Sequence, residues 1–424
     1  MNNLIKSVAI ITLFFSVVTL KAQQDEKPLK EFQFSFLPMV STDGTQTLNY
    51  RYQLSFNLIA GITGGVHGLE LGGFANITNG RVEGLQLAGF GNIVNGRMQG
   101  MQGAGFINIV NGFSKGVNGA GFINIVRSGS EGVMGAGFMN VVAGDNKTVS
   151  GAGFMNLTRG NLYGLTGAGF MNINGANMQG LTGSGFMNIS GGDVQGLQGA
   201  GFGNVSGGKM QGAQLAGFMN IAREVEGLQA AGFLNVAGEV KGFQLGFINV
   251  SDTIDGVPVG FLSIVKRGGL RQIELAASDV MYLNASFKIG VPLFYNIFSM
   301  GYRPFHDQVY SATGYGVGTE MQLTETSRMH FEVHTSSIHR DWDWWKDGDY
   351  NNLNELRAIY SMQPLQHLQL FAGVTLYNHH FRTSEEYDAE SLSLAPYMIY
   401  ECQRGSRHSQ WWVGARAGVR VVLR

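Results

Sequence analysis

The chain has 424 residues, a formal net charge of −1 and only 14% charged residues, which removes the basic footprint of a nucleic-acid binder. Glycine supplies 63 residues and proline 7, yet 44% of the chain is apolar, so the glycines are expected to serve a packed fold and not a disordered one. The single Cys402 excludes a disulfide framework and lies far from the N-terminus, where a lipid-carrying cysteine would be needed.

Residues 1–22 have the layout of a secretory signal, with Lys6, the apolar run SVAIITLFFSVVTL and an approximate cleavage site at Leu20-Lys21-Ala22. No later stretch reaches the roughly eighteen apolar residues of a spanning helix, so an exported chain without a helical anchor is expected. Residues 23–66 read as N-terminal β-strands, with EFQFSFLPMV and TLNYRYQLSFNLIAGIT joined by an STDGTQ turn.

A repeat follows over residues 67–266. Phe recurs at 74, 90, 106, 122, 138, 154, 170, 186, 202 and 218, nine steps of sixteen, then at 233, 247 and 261, which makes thirteen units. Gly precedes every one, and Asn follows two residues on, from Asn76 to Asn249, before Ser263 breaks the series. A segment such as GLQLAGFMNIA reads as a strand followed by a short turn such as NGR or GGK. Gln, Ala, Phe and Asn then share one side, and Leu, Gly and Ile the other.

Two arrangements compete: parallel rungs of a β-solenoid, or an antiparallel meander in a membrane barrel. A constant period suits rungs that all meet the same surroundings. Between residues 68 and 265 Tyr163 is the only Tyr and Trp is absent, so the aromatic girdles of a barrel are missing. The glycines around each Phe also make a poor lipid-facing surface. The expectation is an all-β chain containing a Gly-rich parallel β-solenoid, with rungs about 4.8 Å apart and a length of about 60 Å. In-register Phe rings would form a buried column worth about 2 kcal/mol per ring. Asn amides would form a ladder, and Gly before Phe would provide a positive φ or a close backbone approach. The last repeats shorten and gather Glu224, Glu226, Glu239, Asp252 and Asp255, as terminal repeats that are capped by flanking segments would.

Residues 267–424 lose the period and read as roughly eight antiparallel strands. In WWVGARAGVRVVLR, Trp411, Val413, Ala415, Ala417, Val419, Val421 and Leu423 fall on one face, opposite Trp412, Arg416, Arg420 and Arg424. Met329, Phe331 and Val333 likewise alternate with Arg328, His330, Glu332 and His334. An outer-membrane β-barrel has this pattern, with apolar groups toward lipid and paired charges in the lumen. A soluble sheet with one wet face shows the same alternation. The longer loops, 305–311, 339–352 and 379–390, are counted as following even-numbered strands, which fits poorly with both ends of a barrel lying away from its long loops.

The units GLQLAGFGNI and GFQLGFINV resemble those of bacterial surface-repeat proteins from Gram-negative envelopes. MYLNASFKIGVPLFYNIFSMGYRPF and the closing WVGARAGVRVVL resemble the C-terminal part of a subset of them. The resemblance covers nearly all of the mature chain. It implies an outer-membrane or cell-surface address, with membrane lipid as a partner, and brings no catalytic residues.

Chemistry is sparse. Residues 68–265 hold no His, and their charges are read as lying mostly in the variable turns, with no carboxylates of adjacent rungs expected to pair at one strand position as glycoside hydrolysis would require. Asp does not recur in phase as in a calcium-binding roll. The row four residues before Phe (Glu70, Gln86, Asn118, Met134, Ser150, Thr166, Gln198) is a contact strip if it faces solvent, and otherwise solvates a sheet face. His330, Glu332 and His334 fall on one strand face about 7 Å apart, close enough to help hold a metal with a neighbouring strand, although a polar lumen explains them as well. In HRDWDWWKDGDYNN, Trp342, Trp344 and Trp345 stand among aspartates and are the candidate ligand-binding residues, able to grip a surface glycan or lipid headgroup if exposed. The expected whole is a non-enzymatic envelope scaffold, structural or adhesive, with no cofactor and no metal. Its alternative is an outer-membrane channel or transporter in which the repeats join a large barrel.

Overall fold

The computed structural model describes residues 27–305, 308–340, 351–383 and 389–423; the signal assigned to residues 1–22 lies outside them. The chain forms two compact units, Met1–Ala176 and Asn177–Arg424. Apart from a 3-10 segment Gly44–Asn49 and a helical turn Ala389–Leu392, the described secondary structure is all β.

In the first unit the repeats are rungs of a parallel β-solenoid. Val82 pairs with Met98, Gln86 with Gln102 and Ala88 with Ala104, a step of one repeat in the same direction. Each repeat is two strands, such as Val82–Ala88 and Gly91–Val94, and not the continuous strand expected from the sequence. The break falls at Gly89-Phe90, where the N–H groups of Phe90 and Gly91 both donate to the Phe74 carbonyl at 2.8 and 3.1 Å. Two carbonyl-directed donors in succession turn the chain through a corner. The long strands stack on one side of the coil and the short strands on the other. Val82 and Gln86 from one side meet Asn92 and Val94 from the other, all four fully buried.

This corner places the Phe rings differently from expectation. They do stack, with centroids 4.7 Å apart between Phe74 and Phe90 and 4.8 Å between Phe106 and Phe122. The column stands on the outside, however, with Phe74 52% and Phe122 38% exposed. Each ring is buried by its neighbours in the stack and open on its flank, so its burial contributes less than the about 2 kcal/mol of a core side chain.

The two roles offered for glycine belong to different positions. Gly before Phe serves close approach, since a Cβ on Gly89 would stand 2.1 Å from the Gly73 carbonyl oxygen. The positive φ falls six residues before Phe, at Gly84 (+129°) and Gly100 (+126°).

Before the repeats, Leu29–Leu37 and Arg51–Asn57 do not form a hairpin across STDGTQ. They pair in parallel, and Arg51–Asn57 pairs in parallel with Val66–Gly72, so this segment extends the stack. Residues 41–46 instead enter a short strand Val40–Ser41 and the 3-10 segment. Asp43 there accepts hydrogen bonds from Lys30 and Tyr52.

In the second unit, rungs of the same design run from Met178 to Val265. As the repeat shortens, the three-residue turn disappears and each short strand flows into the next long one, giving Met219–Ala231, Leu234–Leu245 and Ile248–Val259. After the last short strand, Leu262–Val265, four joining residues lead to a nine-stranded antiparallel sheet. Its strands are β1 (Leu270–Ser278), β2 (Leu283–Val291), β3 (Phe294–Phe305), β4 (Gln308–Gln322), β5 (Ser327–Arg340), β6 (Asn351–Leu365), β7 (Leu368–Arg382), β8 (Tyr400–Arg404) and β9 (Arg407–Val422). Because β9 pairs with both β7 and β1, the sheet closes into an eight-stranded barrel, and β8 adds a short edge to the projecting start of β9.

The long connections, 341–350 and 383–399, follow β5 and β7, while the long loop expected at 305–311 is absent, since Phe305 of β3 pairs directly with Gln308 of β4 and Tyr302 with Ser311. They therefore follow odd-numbered strands, not even-numbered ones. Both ends of the barrel, Leu270 and Val422, lie with the short turns 292–293, 323–326 and 366–367. The even-numbered placement expected from the sequence is thus off by one strand, and both ends of the barrel lie away from its long connections.

Candidate functional site

The chemistry-bearing residues of the described chain gather in the barrel. Alternation along each strand sends one set of side chains to the lumen and the other to the outer wall. On β5, Phe331 and Val333 are 46% and 56% exposed while His330, Glu332 and His334 are buried. On β9, Val413, Val419 and Val421 face out, and Trp412, Arg416 and Arg420 face in. The outer wall also shows Leu356, Val374, Met300 and Leu283, so the barrel is apolar outside and charged inside.

The charges are matched across strands. Glu274 on β1 accepts from Arg416 at 2.7 Å and Arg420 at 2.5 Å on β9, and from Lys288 on β2 at 2.7 Å. Lys288 also reaches Glu332 at 2.5 Å. Glu332 takes a further bond from the Tyr295 hydroxyl at 2.9 Å and lies 3.4 Å from Arg357, which itself donates to Glu355 at 2.8 Å. Burial of these ions is tolerated because each carboxylate meets at least one cation at bonding distance.

His330, Glu332 and His334 share the inward face, as their spacing requires. Their partners, however, are Ser361 and Arg420 for His330, Lys288 for Glu332, and Ser299 with Glu355 for His334. Among the described residues, no group of three His, Cys, Asp or Glu is placed to hold a metal ion.

Toward the long-connection end the lumen turns apolar. Trp412 stacks on Tyr377 at 5.1 Å, and Val280, Met281, Ile338, Leu353 and Leu394 pack around them. This plug was missed, since the sequence pattern grouped Trp412 with the inward arginines. The signal available was that Tyr377, Leu353 and Ile338 lie near the same end of their strands. Trp342, Trp344 and Trp345 lie outside the described residues.

The polar row four residues before Phe is no contact strip. Gln86, Gln198 and Gln214 are fully buried between the two sides of the coil. Gln102 donates to Gln86 at 2.8 Å, and Gln214 and Gln229 continue such a ladder in the second unit at 2.9 Å. Their spacing lets each amide satisfy the next, which is why uncharged residues dominate the row. Glu70 begins it and accepts from Gln86, Thr78, Asn57 and Ser55. Burial nonetheless pushes its carboxyl above the ordinary 4.5, against the lowering effect of those bonds.

The Asn ladder is present. Asn92 donates to Asn108 Oδ1 at 2.9 Å and to the Gly103 carbonyl at 2.8 Å, so one amide ties its own short strand to the next rung on both sides of the coil.

The last rung rests on the barrel wall. Asn296 Nδ2 on β3 donates to the Gly260 carbonyl at 2.7 Å, and Phe261 stacks on Tyr315 of β4 at 5.1 Å and meets Phe298 edge-on at 5.4 Å. No protein family, curated protein or solved structure matches the chain.

Proposed function

We propose that this chain is an outer-membrane protein in which the eight-stranded barrel is the membrane anchor and the solenoid is the scaffold it carries. The observation that supports this reading best is the inside-out distribution of β1–β9. Residues such as Val333, Leu356 and Val374 lie more than half exposed on the wall, while Glu274, Lys288, Glu332 and Arg420 are sealed within. In water such an arrangement leaves apolar surface wet and buries ions at a cost; in a bilayer both choices are favourable.

Two features bear on the alternative of a channel. The repeats stay out of the barrel's sheet, and the described lumen is occupied by the charge network and the Trp412 plug. Both favour an anchor over a conduit. Outer-membrane barrels keep short turns on the periplasmic side and long loops outside. With both barrel ends at the short turns and four residues joining Val265 to Leu270, the scaffold belongs on the periplasmic side of the membrane in this reading. An adhesive role at the cell surface requires the opposite orientation.

The test is refolding of the full chain from urea into phosphatidylethanolamine and phosphatidylglycerol vesicles, followed by flotation and electrophoresis with and without heating. The wild type should float and migrate differently when unheated, as closed barrels do. Leu356→Arg places a cation on the wall, at a cost of about 2 to 4 kcal/mol near mid-membrane, and should reduce the floating fraction. A folded wild type that stays in the aqueous layer overturns the proposal.

A further inference from the structure

The solenoid rungs of the second unit are amphipathic along their length. In each repeat, the residues from five before Phe to four after it carry no charge, as in LQAAGFLNVA and GVPVGFLSIV. Every charged residue from 177 to 265 lies in the remainder, at the turn and the start of the long strand, where Lys209 pairs with Glu226 at 2.8 Å and Lys241 with Glu239 at 3.3 Å. The uncharged side is apolar and open: Phe218 is 41%, Phe233 40% and Leu245 53% exposed. A shallow furrow of about 480 Å³ on this side is lined by Gly199, Ala216, Ala230, Gly232, Leu215 and Leu245. No side chain in that furrow offers a hydrogen bond, which suits hydrocarbon and not a glycan. The backbone is satisfied without water, since Phe218 and Met219 both donate to the Phe202 carbonyl at 3.0 and 2.9 Å. At its end the Phe column passes onto the barrel wall, where Phe261 stacks on Tyr315. The apolar side of these rungs is therefore continuous with the surface assigned to lipid.

We propose that the uncharged side of these rungs lies in the membrane interface beside the barrel, with lipid acyl chains against the Phe column and in the furrow, and the Lys/Glu edge turned to water. This rests on the barrel being the membrane anchor. Segregation of an apolar side from a charged side is the signature of elements that lie in the plane of a membrane surface, and here a solenoid carries it in place of a helix.

The test uses the full chain with Cys402→Ser, refolded into phosphatidylethanolamine and phosphatidylglycerol vesicles. Single nitroxide labels go at Phe233→Cys on the uncharged side, Lys241→Cys on the charged edge and Val374→Cys on the barrel wall, with Ile221→Cys as a second uncharged-side position should the first not fold. Collision rates are measured with oxygen, which concentrates in hydrocarbon, and with a water-soluble nickel chelate. The oxygen-to-nickel ratio at 233 or 221 should exceed that at 241 several-fold and approach that at 374. A ratio at 233 and 221 equal to that at 241, with 374 still shielded from nickel, overturns the proposal and leaves the anchor standing. Labels at 233 shielded from both agents and broadened by one another mean that a second copy covers this side, which also overturns it. Nickel access at 374 itself sinks the anchor and the present proposal with it.

Discussion

Asn140 offers the sharpest test of why Asn recurs in every one of the thirteen repeats but the last. Its side chain is 2% exposed and makes three hydrogen bonds. It accepts from Asn124 at 2.9 Å and donates to Asn156 Oδ1 at 2.9 Å and to the Gly151 carbonyl at 2.8 Å. Asn140→Ala removes all three where water has poor access, at about 1 kcal/mol for each bond and more where a partner is left unsatisfied. The local loss is thus about 3 kcal/mol, or roughly a hundredfold faster opening, since about 1.4 kcal/mol is a factor of ten. Hydrogen exchange of the full chain, read by mass spectrometry on peptides covering 139–158, measures this directly. Asn95→Ala is the control. Asn95 belongs to a second Asn ladder, with Asn79 at 3.1 Å and Asn111 at 2.7 Å, but sits in the half-exposed turn where water replaces the lost bonds. Its effect should stay within about 0.5 kcal/mol, as for ordinary surface changes. Equal acceleration by the two substitutions would refute the assignment of rung cohesion to the buried amides.

The glycine positions separate in the same way. Gly116→Ala, at φ +125° and 2.0 Å from the Gly100 carbonyl oxygen, should destabilise its rung by more than about 2 kcal/mol. Gly135→Ala, with open space around its Cβ, should leave exchange near the wild-type rate. Glu70 makes stability pH-dependent: its folded value is raised above the ordinary 4.5, so its contribution is full below about 4.5 and is lost as pH rises through the folded value. Glu70→Gln, the residue the next rung carries at Gln86, should remove that loss, seen as slower exchange around residues 66–78 than in the wild type at pH 8 and no advantage at pH 4. In the barrel, Glu274→Ala leaves Lys288, Arg416 and Arg420 short of a counter-ion and should cost about 3 to 5 kcal/mol. Urea titration of the vesicle-inserted chain measures it, and a shift smaller than that of Glu131→Ala, an exposed partner of Lys115, would contradict the buried-network account.

Much of the fold was legible because two strict periods announce themselves. Thirteen units at a nearly constant step made parallel stacking the economical solution, and the strict alternation of β5 and β9 placed Glu332, Arg416 and Arg420 in the lumen before their partners were known. The corner was harder to read. Phe, Gln and Asn share a parity in the sequence, and parity fixes a common face only while a strand is unbroken. The turn at Gly89-Phe90 resets it, leaving Gln86 and Asn92 inside and Phe90 out. The buried Gln row looked like a surface strip for a related reason: amides are polar, and only stacking in register lets each one satisfy its neighbour. The partners of Lys288 and the plug around Trp412 depend on barrel closure and strand stagger, which alternation along single strands does not encode.

The membrane-anchored arrangement is tested most directly by labelling on intact cells. In a Cys402→Ser chain, one cysteine is placed at Lys241 on the charged edge of the solenoid and another, separately, at Arg404 in the β8–β9 hairpin at the long-connection end. A membrane-impermeant maleimide should modify position 404 on intact cells and reach position 241 only after the outer membrane is permeabilised. Equal labelling of both positions without permeabilisation would contradict a barrel that spans the membrane with its scaffold beneath.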